Sequence, residues 1–265
     1  MLLRNVFTKT LRDLRWPTFW IALGMAGQTA YFAVLFPTYS KTFNIDDILQ
    51  KMGDLGKLVG VAGNANTLAG FLHIELFSMI LPALMVALVA GVASGFTAGE
   101  ESRGTIDILL SYPVSRRRMV LEKVLAVTLA AIVAAFAVWV LGLAGAAASA
   151  TPLSASDLAA ALVMLVLLGL AFGAIALSVA AATGNRAASI GIAVGLMVAM
   201  YLVDAVANIV DGLGVIRPLS LFRYYMGNDP LRNGLSLADA GVLAAVAAVF
   251  LVIALVAFDR RDLAA

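Results

Sequence analysis

Cysteine is absent from this chain, and histidine occurs once, as His73. The first absence excludes disulfides, thiolate metal sites and a cysteine nucleophile. The second leaves too few nitrogen and sulfur ligands for a transition-metal site within a membrane. Charge is also scarce, at 13% of residues against about 25% in an ordinary soluble domain. With 62% of its 265 residues hydrophobic, the chain carries more apolar surface than a soluble core of that size can hide, whereas a bilayer can. The phosphate-cradling pattern GxxxxGK followed by Ser or Thr is missing, because "GDLGK" at Gly53–Lys57 lacks the spacing. The amino end, "MLLRNVFTKTLRDLRW", scatters its charges and has no compact apolar stretch before a small-residue cleavage site, so no cleavable signal peptide is expected. No span gathers His, Asp and Glu, or Ser and Lys, in the way an intramembrane enzyme requires. The net charge of +2 is small and its basic residues sit beside apolar runs, which points to membrane topology and away from nucleic acid.

Long uncharged runs are what the chain has instead. A bilayer crossing needs about 20 mainly apolar residues. Trp16–Ser40, Leu76–Gly99, Val124–Thr151 continuing to Ser156, Leu158–Asn185, Ala187–Val210 (broken only by Asp204) and Ala240–Phe258 meet that length. The turn "TPLSASD" separates the third run from the fourth, with Asp157 suited to cap the following helix. The fold class expected is therefore an all-α integral membrane protein with six transmembrane helices and both termini on one side. The larger share of the 18 lysines and arginines, including Arg4, Arg12, Arg15, Arg116, Arg117, Arg118, Arg186 and Arg260, falls on that side, which the positive-inside rule makes the cytoplasm.

Three further segments carry sided patterns. Residues 1–15 alternate apolar Leu3, Val6, Phe7, Leu11 and Leu14 with basic positions, which predicts an amphipathic helix on the inner membrane face. Residues 41–71 and 211–236 are external by this topology. The first contains an amphipathic helical pattern from Ile45 to Val59, and the second reads as interfacial or re-entrant turns. Ionisable residues at membrane depth are costly and invite functional readings. Glu75 and Asp204, both near the outer ends of their spans, are candidates to line a translocation path or outer vestibule. The plainer alternative pairs them with His73, a lysine or lipid headgroups. Gly169 and Gly173 form a G-x-x-x-G of the kind that lets helices pack closely.

The densest polar signal is "GEESRGTIDILLSYPVSRRRMVLEK", residues 99–123, between the second and third runs. From the residues alone it reads as a short helix begun by Glu100 and Glu101, with an apolar stripe of Ile106, Leu109 and Leu110, stopped at Pro113 and followed by arginines at headgroup level. The segment resembles the loop between the second and third spans of ABC exporter permeases of the type-2 class. The match rests on Glu100, Glu101, Gly104, Thr105, Leu109, Leu110, Pro113, Ser115, Arg116 and Lys123. "TGNRAA", "LSLFRYYMGNDPLRNGL" and "FDRRDL" extend the similarity along the chain.

That resemblance implies a cytoplasmic coupling helix within residues 99–118, with Glu100, Glu101, Gly104, Thr105, Ile106, Leu109, Leu110, Pro113 and Arg116 meeting a separate ABC ATPase subunit. It implies a second permease, in a homodimer or a heterodimer, and contact through the first and fifth spans. The chain itself would need no cofactor, with ATP and Mg on the ATPase. Other partners expected are membrane lipids, with no nucleic acid. Few fixed charges in the spans suit a hydrophobic or amphipathic cargo. The competing reading is an ion-coupled transporter or channel that uses Glu75 and Asp204.

Overall fold

The computed structural model describes residues 6–42, 51, 66–95, 116–208, 210 and 213–260, and every regular element among them is helical. In chain order these are α1 (Val6–Thr42), α2 (Leu68–Leu72), a π-helical turn (His73–Phe77), α3 (Ile80–Ala93), α4 (Arg116–Ala148), α5 (Ala155–Thr183) and α6 (Arg186–Ala207). Two 3₁₀ turns (Leu213–Val215 and Arg217–Leu219) then lead to α7 (Leu221–Met226), α8 (Pro230–Asn233) and α9 (Leu237–Arg260). Among these, α1, α4, α5, α6 and α9 are each long and apolar enough to cross a bilayer. The helices Leu68–Phe77 and Ile80–Ala93 are together apolar and long enough for a sixth, but they are bent by 47° at a short break, as in a broken span or a re-entrant loop.

This sixth element departs from the sequence expectation. The second span was expected to begin at Leu76, but helix begins at Leu68, where Thr67 caps it by accepting the Gly70 N–H at 3.1 Å. Residues 68–71 are therefore helical and continue into the π-turn and α3. The predicted helix from Ile45 to Val59 lies outside the described residues, except for Lys51. Residues 6–15 form no separate helix either: they continue without a break into the first span, giving 37 residues in one element. Such a helix is about 55 Å long at 1.5 Å per residue, well beyond a hydrocarbon core of about 30 Å. Asp157 is not the cap of α5. Ser154 is, its hydroxyl accepting the Asp157 N–H, and Asp157 sits in the first turn, where its charge suits the helix dipole.

The centre of the bundle is α5, which packs against α3, α4, α6 and α9 and is the most enclosed of the long helices. Its glycines explain how. A Cβ on Gly169 would stand 2.6 Å from Met85 Cγ, and one on Gly173 would stand 2.4 Å from Val89 Cγ1. Only a bare backbone admits α3 this closely. The Ser189 hydroxyl, buried, donates to the Ala176 carbonyl and joins α6 to the same centre.

The most extensive helix pair is α1 with α4. Phe7 meets Glu122 at one end, while Ala30 and Ala33 lie against Gly145 towards the other, so the two helices run in the same direction. A Cβ on Gly145 would come within 2.9 Å of the Ala30 carbonyl oxygen, so close approach of backbones holds this pair too.

Candidate functional site at the two polar ends

Polar chemistry concentrates at the two ends of the bundle. The end from which residues 96–115 depart is called here the loop end. Of the residues expected to meet a partner, Glu100, Glu101, Gly104, Thr105, Ile106, Leu109, Leu110 and Pro113 lie outside the described residues. Arg116 is the first residue of α4, so the arginine run forms the opening turn of the third span instead of the corner of a loop.

Both stems of that loop are tied down. On the incoming side α3 ends at Ala93, and the Arg186 guanidinium donates from Nη2 to the Gly91 carbonyl at 3.2 Å. A carboxyl helix end carries partial negative charge and unpaired carbonyls, which a guanidinium satisfies. On the outgoing side Arg117 Nε donates to Asp259 Oδ2 at 2.5 Å, and Arg118 Nε donates to Glu122 Oε1 at 2.9 Å. The second oxygen of Glu122 accepts the Phe7 N–H at 3.3 Å, in the first turn of α1, where the helix itself supplies no acceptor. Lys123, the next residue, is 3% exposed. The end of α3 is thus held to α6, and the start of α4 to α9 and α1.

At the far end one ion pair and one histidine–carboxylate contact bind the segment 213–233 to the spans. Asp204, in the last turn of α6, accepts from Arg217 Nε at 2.9 Å. His73 Nδ1 lies 3.3 Å from Asp229 Oδ1, and Arg232 stands 3.8 Å from the other oxygen of that carboxylate. A cavity of about 110 Å³ lies among these groups, lined by His73, Ser78, Tyr201, Asp204, Asn208 and Arg217. The segment is placed by further bonds. Ser220 caps α7 and donates from its hydroxyl to the Met200 carbonyl at 2.6 Å, and the Tyr224 hydroxyl donates to the Pro218 carbonyl at 3.0 Å.

Local backbone geometry sets up these contacts. The π-turn is made by the Ser78 N–H bonding back to the His73 carbonyl at 2.9 Å, and Ser78 Oγ adds a bond to the Ile74 carbonyl at 2.7 Å. Such a turn displaces His73 from the ordinary helical register. Asp229 has φ of 47°, in the left-handed region that Asp tolerates better than most residues.

Asp204 is expected to pair with His73, a lysine or a lipid headgroup, and the structure gives it a different partner. Its partner is Arg217, the first basic residue after it along the chain, and no lysine or histidine. His73 pairs with Asp229, not with Glu75 or Asp204. Glu75 is half-buried, does not line the cavity, and makes no hydrogen bond or ion pair with a described residue. Glu75 and Asp204 are therefore not brought together as one site. Arg217, Asp229 and Arg232 were missed as participants. Among the described residues no three His, Asp or Glu side chains are placed to hold a metal ion.

A family model described as "ABC-2 family transporter protein" matches residues 5–263. No curated protein matches the chain.

Proposed function

Since the chain belongs to the ABC-2 family of transporter proteins, we propose that it moves a hydrophobic or amphipathic small molecule out of the cytoplasm, driven by an ATPase that docks on residues 99–118. The coarser facts are its premise: the chain is a multi-pass membrane permease subunit of an ABC transporter, and that family implies an ABC ATPase subunit as partner. The loop end is then cytoplasmic, and the far end is the outer side.

The observation that carries the coupling reading is the anchoring of the loop stems. A force applied to a loop reaches the spans only if the loop cannot slip. Here Arg186 holds α3 to α6, Arg117 holds α4 to α9, and Glu122 holds α4 to α1. Displacing the loop therefore loads four spans besides α3. In this reading the far-end contacts form the outer closure, which must open when cargo leaves.

The same reading expects two permeases face to face through the first and fifth spans. Support comes from α6, whose Ser189, Ala193, Met197 and Ala205 are buried while Ala187, Gly191, Gly195 and Ala199 lie exposed at four-residue intervals. Nothing stands within 4 Å of a Cβ on Gly191 or Gly195. A second copy of this smooth face fits there. Cysteines placed singly at Gly191 and Gly195 of this cysteine-free chain should cross-link between copies, while cysteine at Val163 in α5 should not.

The decisive test is substitution in the loop. Glu101→Ala and Gly104→Leu should leave insertion and dimerisation intact, yet release or uncouple the ATPase and abolish transport in reconstituted vesicles. Wild-type ATPase association and cargo-stimulated hydrolysis in both variants would defeat the coupling reading and leave the loop as a lipid anchor. Transport that follows an ion gradient and ignores vanadate would instead favour the ion-coupled alternative.

A further inference from the structure

Beside the α1–α4 contact runs an open groove of about 460 Å³, lined by Leu14, Arg15, Thr18, Phe19, Ala22 and Ala26 of α1, among others, and by Leu129 to Leu141 of α4. Its walls are apolar except near the loop end, where Arg15 stands. Three observations bear on what fills it. Arg15 shares the groove with Ala130, about 10 Å further along α4 than Lys123, the last charged residue of that helix. A guanidinium at this depth faces a helix that offers it no acid, and neither Arg15 nor Arg12 forms an ion pair with any described residue. Trp16 and Trp20 are exposed beside it, and the Arg15 guanidinium lies 5.7 Å from the Trp16 ring centre, an arrangement of the headgroup level.

The third observation is Thr18. Thr10, Thr29, Thr128 and Thr183 each donate their hydroxyl to the carbonyl four residues earlier. Thr18 lines the groove, is 8% exposed, and its hydroxyl has no partner. A buried hydroxyl left unpaired is costly, and the groove wall must yield there before an acceptor can reach it.

We propose that this groove is a binding site for one anionic phospholipid of the loop-end leaflet. Its phosphate sits on Arg15 with Arg12 beside it, and one acyl chain lies along Ala22, Ala26, Val133 and Ala137. The charge and the apolar length select this occupant together: a soluble anion has no use for the apolar wall, and a zwitterionic lipid offers a phosphate whose charge its own ammonium offsets, so it holds Arg15 more weakly. The site does not depend on the direction of transport or on the ATPase.

The full chain, reconstituted in nanodiscs of equal phosphatidylglycerol and phosphatidylcholine and released into native mass spectrometry, tests this directly. Wild-type protein should retain one phosphatidylglycerol in preference to phosphatidylcholine, and Arg15→Gln should reduce that retention about fivefold, the worth of one basic side chain at an anionic surface. Ala137→Phe, which fills the apolar wall and leaves Arg15 in place, should reduce retention of both lipids. Equal retention of the two lipids by wild type, or unchanged retention in both variants, overturns the proposal. Any contact between copies through the first span must then use a face of α1 other than this groove, so cross-linking from a cysteine at Leu23, at the level seen from Gly191, overturns the proposal too by giving the groove to a second permease.

Discussion

The Asp204 carboxylate and the Arg217 guanidinium meet at 2.9 Å across a separation of 13 residues, closing the exit of the fifth span onto the segment that follows it. Both side chains are partly sheltered, so the loss of one partner leaves the other poorly solvated. Asp204→Asn or Arg217→Gln should cost about 1–3 kcal/mol of stability. The reversed pair, Asp204→Arg with Arg217→Asp, should recover part of it. Thermal unfolding of the four proteins in nanodiscs measures this, and additive losses in the reversed pair would deny the contact. Under the proposed function, Asp204→Asn changes cargo handling while ATPase association stays at wild-type level.

Gly173 makes a second, steric prediction. Alanine there would place its Cβ 2.4 Å from Val89 Cγ1, inside any tolerated contact. Gly173→Ala should destabilise the bundle by about 1–3 kcal/mol, as overpacking does. Adding Val89→Ala should restore most of the loss, because the two changes share one contact and so fail to add. Equal losses in single and double variants would place the clash elsewhere.

Arg186 separates anchoring from docking. Arg186→Gln removes the bond to Gly91 at the incoming stem without touching residues 99–118. The ATPase should still co-purify with the variant, while cargo-stimulated hydrolysis falls severalfold. Unchanged hydrolysis would show that the stem needs no hold from the fifth span.

Tyr225 is fully enclosed, and its hydroxyl has no hydrogen-bond partner among the described residues. Burial pushes the phenol well above its ordinary pKa, so it stays neutral throughout the working range. Removing an unsatisfied buried hydroxyl while keeping the ring should cost nothing and can stabilise by about 1 kcal/mol. Tyr225→Phe should therefore melt at or above the wild-type temperature; a clear drop would reveal a bound water or other partner on that oxygen.

Runs of uncharged residues located all five long helices, since a helix in hydrocarbon must satisfy its own backbone and cannot carry many charges, but two of these helices begin 10 and 8 residues before their runs, at Val6 and Arg116, where charged residues continue the helix. The same rule misplaced the start of the second crossing. His73 and Glu75 looked like its outer boundary, but His73 is buried because Asp229 comes to it from 156 residues away. The 47° bend did have a local mark: it falls at Ser78 and Met79, just before Pro82, which has no N–H to bond the Ser78 carbonyl. Pairing with a distant segment bears only on the burial of His73. Asp204 was legible because an acid stands out in an apolar run, whereas Arg217 and Asp229 lay among the many polar residues of a segment outside the spans. The G-x-x-x-G at Gly169 and Gly173 announced close packing, and the contact with Met85 and Val89 supplies the neighbour that the motif alone could not name.

The bond between Glu122 and the Phe7 N–H also sets an order of events during synthesis. The first helix leaves the ribosome without the acceptor for its amino end, since that carboxylate lies 115 residues further along the chain. At about 5–20 residues per second the wait is roughly 6–23 s. Throughout it, the first two crossings occupy the membrane while the parallel neighbour of α1 is still being made. Completion of the third crossing is thus the earliest moment at which the first can settle, and the nascent chain should acquire resistance to proteolysis near Phe7 only after residue 148 has cleared the translocon.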